Sequence, residues 1–164
     1  MKKIVIILIL FIAITNCKAQ EEPIVFTEKA LADIFIDTKG DEIAFSKILK
    51  AYKGKQIVID IWASWCKDCV KGMPKIKKLQ TNNKETVFLF LSLDKSEEAW
   101  KKGIKKYTIE GEHYFIKSGW KSEFASFLDL DWIPRYLVID KTGNIKLFRA
   151  VKADDQKLKS ALKI

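Results

Sequence analysis

Cys66 and Cys69 stand two residues apart in the run Trp62-Ala63-Ser64-Trp65-Cys66-Lys67-Asp68-Cys69. Two thiols at that spacing can contribute to a metal site, or they can interconvert between dithiol and disulfide and move two electrons. A structural zinc site takes about four ligands, and the chain offers no second cysteine pair and a single histidine, His113. The redox reading is the better supplied.

The flanking residues say how the pair is positioned. Ile57-Val58-Ile59-Asp60-Ile61 is rich in β-branched types and reads as a buried strand, while Val70 to Leu79 carries its apolar residues at helical spacing. The pair therefore falls where a strand ends and a helix begins. The unpaired N–H groups and dipole of a helix N-terminus stabilise an anion there, and the anion wanted is a thiolate. Cys66, at the entrance, is the expected nucleophile; Cys69, less than one turn on, is the expected resolving thiol. Lys67 beside Cys66 favours its thiolate and Asp68 opposes it, so the sequence leaves the sign of the pKa shift open. Asp60 interrupts an otherwise apolar strand six residues before Cys66. Burying a carboxylate costs free energy, so Asp60 either faces water near the strand end or has a task.

The remaining chain alternates strands and helices. Ile34–Asp37 and Glu42–Phe45 form a hairpin-like unit about the turn Thr38-Lys39-Gly40-Asp41, and Ser46 is placed to cap a helix over Lys47–Tyr52. Thr86–Leu93 reads as a strand, Ser96–Tyr107 as a helix started by Ser96, Glu97 and Glu98, His113–Ile116 as a short strand and Glu123–Leu128 as helical. Arg135–Ile139 and Asn144–Phe148 make a hairpin with Gly143 at a positive φ, and Asp154 leads a last helix to Ile164. This order predicts an α/β fold, a mixed central sheet sandwiched by helices. His113 is expected at a surface or sheet edge.

The segment Val58 to Cys69 resembles the active-site segment of thioredoxins, and more closely that of the extracytoplasmic thiol–disulfide oxidoreductases of the TlpA/ResA type; Pro74, five residues after the second cysteine, also matches. Ile133-Pro134-Arg135 to Ile145 resembles that family's cis-proline segment and following hairpin. The similarity covers roughly Ala32 to the C-terminus, and the hairpin before the first helix resembles the N-terminal extension of TlpA-like proteins. The resemblance implies a thioredoxin-like fold with an N-terminal β-hairpin extension. It also implies a general-base role for a buried Asp60, serving the resolving cysteine. Pro134 is implied to follow a cis bond and lie against the disulfide, with the Ile133 backbone offered to a substrate chain. Trp65 is expected on the rim of that substrate-binding surface, Trp62 in packing, and Trp132 as an extension of the docking surface. Arg135 departs from the small polar residue usual after this proline.

Met1-Lys2-Lys3 followed by the apolar run Ile4 to Ile14 has the charge and length of a signal peptide and is too short for a permanent span. Ile14-Thr15-Asn16-Cys17 resembles a bacterial lipobox, which makes Cys17 the expected lipidation site and competes with simple cleavage after Ala19. The expected organisation is signal 1–19, lead-in 20–31 and one domain over 32–164. Removing Cys17 leaves the Cys66–Cys69 pair as the one disulfide available in an oxidising space. The formal charge is +9, but the lysines are scattered over helical faces, which argues for solvated surface and against nucleic-acid binding.

These readings converge on a monomeric, extracytoplasmic, membrane-attached or periplasmic oxidoreductase. It would exchange disulfides with exported proteins, as a reductase in the direction that the resemblance implies, as in maturation of apocytochromes. No cofactor is needed, but a membrane electron donor or oxidant must recharge the pair. A thiol peroxidase is disfavoured because Ala63-Ser64-Trp65-Cys66 lacks a Thr-x-x-Cys arrangement, and a copper-handling module because that type uses Cys-x-x-x-Cys with a histidine. Peroxide consumption and copper titration separate these alternatives.

Overall fold

The computed structural model describes residues 21–162. The signal peptide, the lipobox-like Cys17 and residue 164, the predicted end of the last helix, lie outside the described residues.

The chain runs α1 (Glu28–Ala32), β1 (Ile34–Asp37), β2 (Glu42–Ala44), α2 (Phe45–Ala51), β3 (Ile57–Trp62), α3 (Lys67–Asn82), β4 (Val87–Ser92), α4 (Glu97–Tyr107), β5 (Glu112–Ile116) and α5 (Glu123–Phe127). It closes with β6 (Arg135–Ile139), β7 (Ile145–Ala150) and α6 (Gln156–Leu162). The strands form one seven-stranded sheet in the order β2-β1-β5-β4-β3-β6-β7. The β3–β4 and β4–β5 pairs are parallel, as helical crossovers require, and the hairpins β1–β2 and β6–β7 are antiparallel.

Every residue of β3 is buried, which accounts for its unbroken apolar pattern. One face of the sheet carries α1, α2 and α5 over an aromatic cluster in which Phe45 and Phe124 lie edge-on at 4.7 Å and Phe26 and Phe45 at 5.0 Å. The other carries α3, α4 and α6, tied to one another by Gln80 donating to the Glu110 carbonyl just beyond α4 and by Lys75 donating to Asp154 ahead of α6.

Local chemistry sets most element ends. Ser96 accepts from the Ala99 N–H as the N-cap of α4. Asp37 Oδ1 takes the N–H groups of Lys39, Gly40 and Asp41, closing the first hairpin with Gly40 at φ 99°. Those donors hold the Asp37 carboxyl below its ordinary pKa, with the Asp41 N–H the main cause.

Four expectations are corrected. Ser46 does not cap α2: the helix starts at Phe45, whose N–H donates to the Asp33 carbonyl, and Ala44 stands at the N-cap without a side-chain bond. Asp154 does not lead the last helix; Asp155 accepts from Lys157 N–H, leaving Asp154 to pair with Lys75. His113 lies on an interior strand, because β1 pairs outside β5, and its ring stacks on Phe90 with centroids 5.2 Å apart. Nor is the lead-in wholly irregular: Thr27 caps α1, and Phe26 is buried against Phe45.

Candidate functional site

Helix α3 begins directly at the first cysteine. Cys66 is its N-cap, and the Cys69 N–H donates to Cys66 Sγ at 3.1 Å. This is the position that the sequence predicts, although the helix starts three residues earlier than its apolar periodicity indicates. Cys66 and Cys69 are joined in a disulfide with Cα atoms 5.3 Å apart. The two sulfurs are unequal, since Cys66 is 7% exposed and Cys69 1%.

Cys66 Sγ sits 3.6 Å from the carbonyl oxygen of Ile133, and the Ile133–Pro134 bond is cis. Above that sulfur lies a groove of about 500 Å³ lined by Trp65, Cys66, Trp120, Trp132 and Ile133 among others. Trp65 and Trp132 are 52% and 61% exposed, whereas Trp62 is fully buried. Pro134 lines the adjoining cavity of about 580 Å³, together with Gly72 and Tyr136. The structure thus gathers Trp65, Ile133 and Cys66 at one groove and places Pro134 just behind it. Trp120, from the 3₁₀ turn Gly119–Lys121, completes the rim and was not singled out from the sequence.

Asp60 does not face water. It is 1% exposed, and neither carboxyl oxygen has a hydrogen-bond partner. Its cross-strand neighbour is Tyr136, and a Cβ at Gly72 of α3 would lie 3.1 Å from the Tyr136 hydroxyl. Directly opposed residues share a sheet face, so Asp60 points to the face covered by α3, the helix that carries Cys69. Burial pushes the Asp60 pKa well above the ordinary carboxyl value.

Arg135 is not a docking residue. Its guanidinium is buried, with Nη1 donating to the Leu128 carbonyl at 3.2 Å and Nη2 to Asp131 Oδ1 at 2.7 Å, so it anchors the loop that presents Trp132 and Ile133.

A second constellation braces the turn before Cys66. Asp94, 5% exposed, receives the Ser64 N–H on both oxygens at 3.1 Å, the Ser64 hydroxyl on Oδ1 at 2.6 Å and the Ser92 hydroxyl on Oδ2 at 2.8 Å. Tyr107 donates to the Ser64 carbonyl at 3.2 Å. Gly103 of α4 lies so near that a Cβ on it would stand 2.5 Å from Ser64 Cβ. Sequence reasoning missed Asp94 because its active-site partner, Ser64, is thirty residues away. The available signal was a serine two residues before Cys66 and a polar Ser92-Leu93-Asp94 end to an apolar strand. Among the described residues no group of three or more His, Cys, Asp or Glu could hold a metal ion.

A disulfide at a helix N-terminus, its outer sulfur under an open aromatic groove and its inner sulfur buried, defines a thiol–disulfide oxidoreductase. A family model described as thioredoxin-like matches residues 54–145, a stretch that contains both the cysteine pair and the cis-proline. The chain belongs to the thioredoxin-like family, and its relatives place it on the ResA-like branch. Thiol-disulfide oxidoreductase ResA of Bacillus thuringiensis subsp. konkukian is 29% identical over 140 residues, 84% of this chain and 76% of that one. ResA of Bacillus cereus is 28% identical over 141 residues, 85% and 76% of the two chains. A solved thiol-disulfide oxidoreductase from Bacteroides fragilis superposes with a TM-score of 0.64 at 27% identity, covering 77% of this chain and 94% of that one.

Proposed function

We propose that this protein acts in an extracytoplasmic space as a reductase of disulfides in exported proteins, recharged by an electron donor in the membrane. The observation that carries the reading is the Cys66 sulfur, held by the Cys69 N–H and 3.6 Å from the Ile133 carbonyl, at the floor of the tryptophan-rimmed groove. A partner cystine entering that groove meets the more accessible sulfur first.

In the reduced protein the Cys66 thiolate attacks one sulfur of the partner disulfide and expels the other as a thiolate, giving a mixed disulfide. The Cys69 thiolate then attacks Cys66 Sγ, closes the Cys66–Cys69 bond and releases the second partner sulfur. Two electrons pass to the partner. Trp65, Ile133 and Pro134 shape the docking surface, with the Ile133 backbone beside the reacting sulfur.

Asp60 handles the proton. Raised in pKa by burial, it is a carboxylic acid in the oxidised protein. It gives that proton to the Cys69 sulfur when the disulfide opens and takes it back when Cys69 attacks, a role that burial favours by raising its affinity for the proton. The apolar run Ile4–Ile14 and the lipobox-like Cys17 support delivery across a membrane and attachment to it. Among the described residues no helix is long and apolar enough to cross a membrane.

The test is the equilibrium reduction potential of the Cys66–Cys69 pair, titrated against glutathione or dithiothreitol. A value near or below about −250 mV fits the reductase, one near about −130 mV makes the protein an oxidant of exported thiols, and failure to form the disulfide refutes the redox reading.

A further inference from the structure

We infer that Asp94 is a positioning residue whose buried charge also holds the Cys66–Cys69 pair toward the reducing end. The inference rests on the reductase reading and names what in the chain sets the direction.

The positioning part follows from hydrogen bonding. Ser64 spends its N–H and its hydroxyl on Asp94 and its carbonyl on Tyr107. The Cys66 N–H in turn donates to the Ala63 carbonyl at 3.0 Å, and the Leu93 N–H to the Trp62 carbonyl at 2.8 Å. The turn from Trp62 to Cys66 is therefore closed on itself by the Cys66–Ala63 bond and tied at Trp62 and Ser64 to the end of β4 and to α4. That fixes where α3 starts, and with it the approach of Cys66 Sγ to the Ile133 carbonyl.

The charge part follows from what Asp94 lacks. Hydroxyl and amide donors surround it, but it takes part in none of the ion pairs among the described residues. The charged groups nearest in sequence are Lys95 beside it and Lys67 beside Cys66, both exposed. Ser64 lies two residues before Cys66, and two residues span at most about 7 Å of chain. The carboxylate is thus on the order of 10 Å from the reactive sulfur, a range at which a like charge changes an ionisation constant roughly tenfold through protein. Reduction of the disulfide takes up two electrons and, above the Cys66 titration, leaves Cys66 as thiolate and Cys69 as thiol, the Cys69 proton being the one that Asp60 gives up. A neighbouring carboxylate disfavours that thiolate, hence the reduced form, and makes the pair a stronger reductant.

Asp94→Asn keeps the shape and most hydrogen bonds while removing the charge. Its Cys66 titration is expected to fall by about one pH unit and the potential, measured above that titration, to rise about tenfold in equilibrium constant, or about 30 mV. Ser64→Ala and Ser92→Ala each remove a hydroxyl donor and leave the carboxylate, so their potentials stay put or become more negative. If the asparagine variant does not fold, these two carry the test. A rise in either equal to that expected of the asparagine variant would show that bracing, not charge, matters, and would overturn the charge assignment. An Asp94→Asn protein that folds with an unchanged or more negative potential overturns it as well. A wild-type pair with no measurable reversible potential is a different failure, that of the oxidoreductase reading.

Discussion

Replacing Gly103 by alanine tests the packing beneath the active site, because helix propensity and the structure predict opposite signs. Gly103 lies within α4, where alanine is normally the better helix former by about 1 kcal/mol. The new Cβ, however, would stand 2.5 Å from Ser64 Cβ and 3.3 Å from the Cη2 atom of Trp62. Carbon atoms rest at about 3.5–4.0 Å, so roughly 1 Å of separation has to be found. Neither neighbour yields easily: Trp62 is fully buried, and Ser64 is pinned by Asp94 and Tyr107. Overpacking of this kind costs about 1–3 kcal/mol. If α4 moves instead, the Tyr107 bond goes too, for about another 1 kcal/mol. Subtracting the propensity gain leaves a net loss of about 1–3 kcal/mol when the Tyr107 bond is lost and about 0–2 kcal/mol when it survives. At about 3–5 °C per kcal/mol for a domain of roughly 130 residues, between the small- and large-domain values, Tm of the oxidised protein falls by about 3–15 °C when the Tyr107 bond is lost. Thermal unfolding measures this directly, and the rate of disulfide exchange with a model substrate should fall in parallel as the Cys66 turn shifts. A Gly103→Ala protein as stable as wild type, exchanging at the same rate, would refute the claim that α4 is wedged against the active-site turn.

Other substitutions probe the remaining parts. Asp60→Asn should be indistinguishable from wild type in stability near pH 4 and increasingly more stable above it. The folded wild type retains a proton that the unfolded chain loses, so wild-type stability drops by up to about 1.4 kcal/mol per pH unit until Asp60 ionises; urea unfolding at pH 4 and pH 8 decides it, and parallel curves would place Asp60 outside the buried, unpaired setting described. The same variant should slow closure of the Cys66–Cys69 bond in stopped-flow exchange. Cys69→Ser should accumulate a mixed disulfide between Cys66 and a partner thiol, visible by non-reducing electrophoresis, whereas Cys66→Ser should not; the reverse pattern would exchange the two roles. Phe124→Ala, which removes the ring that contacts Phe26, Phe35 and Phe45, should cost about 3–5 kcal/mol and leave the reduction potential unmoved.

What was legible in the sequence was local or periodic. The strand Ile57–Ile61, the helix after it and the pair between them follow from residue type and spacing over a dozen positions. The same is true of the Ser96 cap and the Gly143 turn, where φ is 95°. The failures share a cause in contacts between distant segments. Ser46 is a good capping residue on its own, but α2 begins at Phe45 because that N–H finds Asp33 and that ring finds the aromatic cluster. His113 reads as an edge residue until its ring is seen to stack on Phe90 of β4; β1, some eighty residues earlier, pairs with the rest of β5 from Tyr114 onward. Arg135 reads only as a departure from the small polar residue usual after Pro134 until its side chain is seen to turn inward to Leu128 and Asp131. Asp94 is an ordinary loop aspartate until β4 pairs in parallel with β3 and brings Ser64 to it.

Asp60, inside β3, and Asp94, just beyond the end of β4, are both buried aspartates, yet their surroundings assign them opposite duties. Asp60 meets no donor, so the protein disfavours its charge and favours its proton, as the proposed exchange with Cys69 requires. Asp94 is met by donors on both oxygens and braces the turn before Cys66. One carboxyl lies on the face under the resolving sulfur and the other behind the turn that presents the attacking one. Exchanging their environments would leave a fixed charge where a mobile proton is needed and a neutral acid where the turn must be braced. Environments that push two like groups apart separate acid–base work from fixed electrostatics, and here the divergence comes from where β3 and β4 place their neighbours.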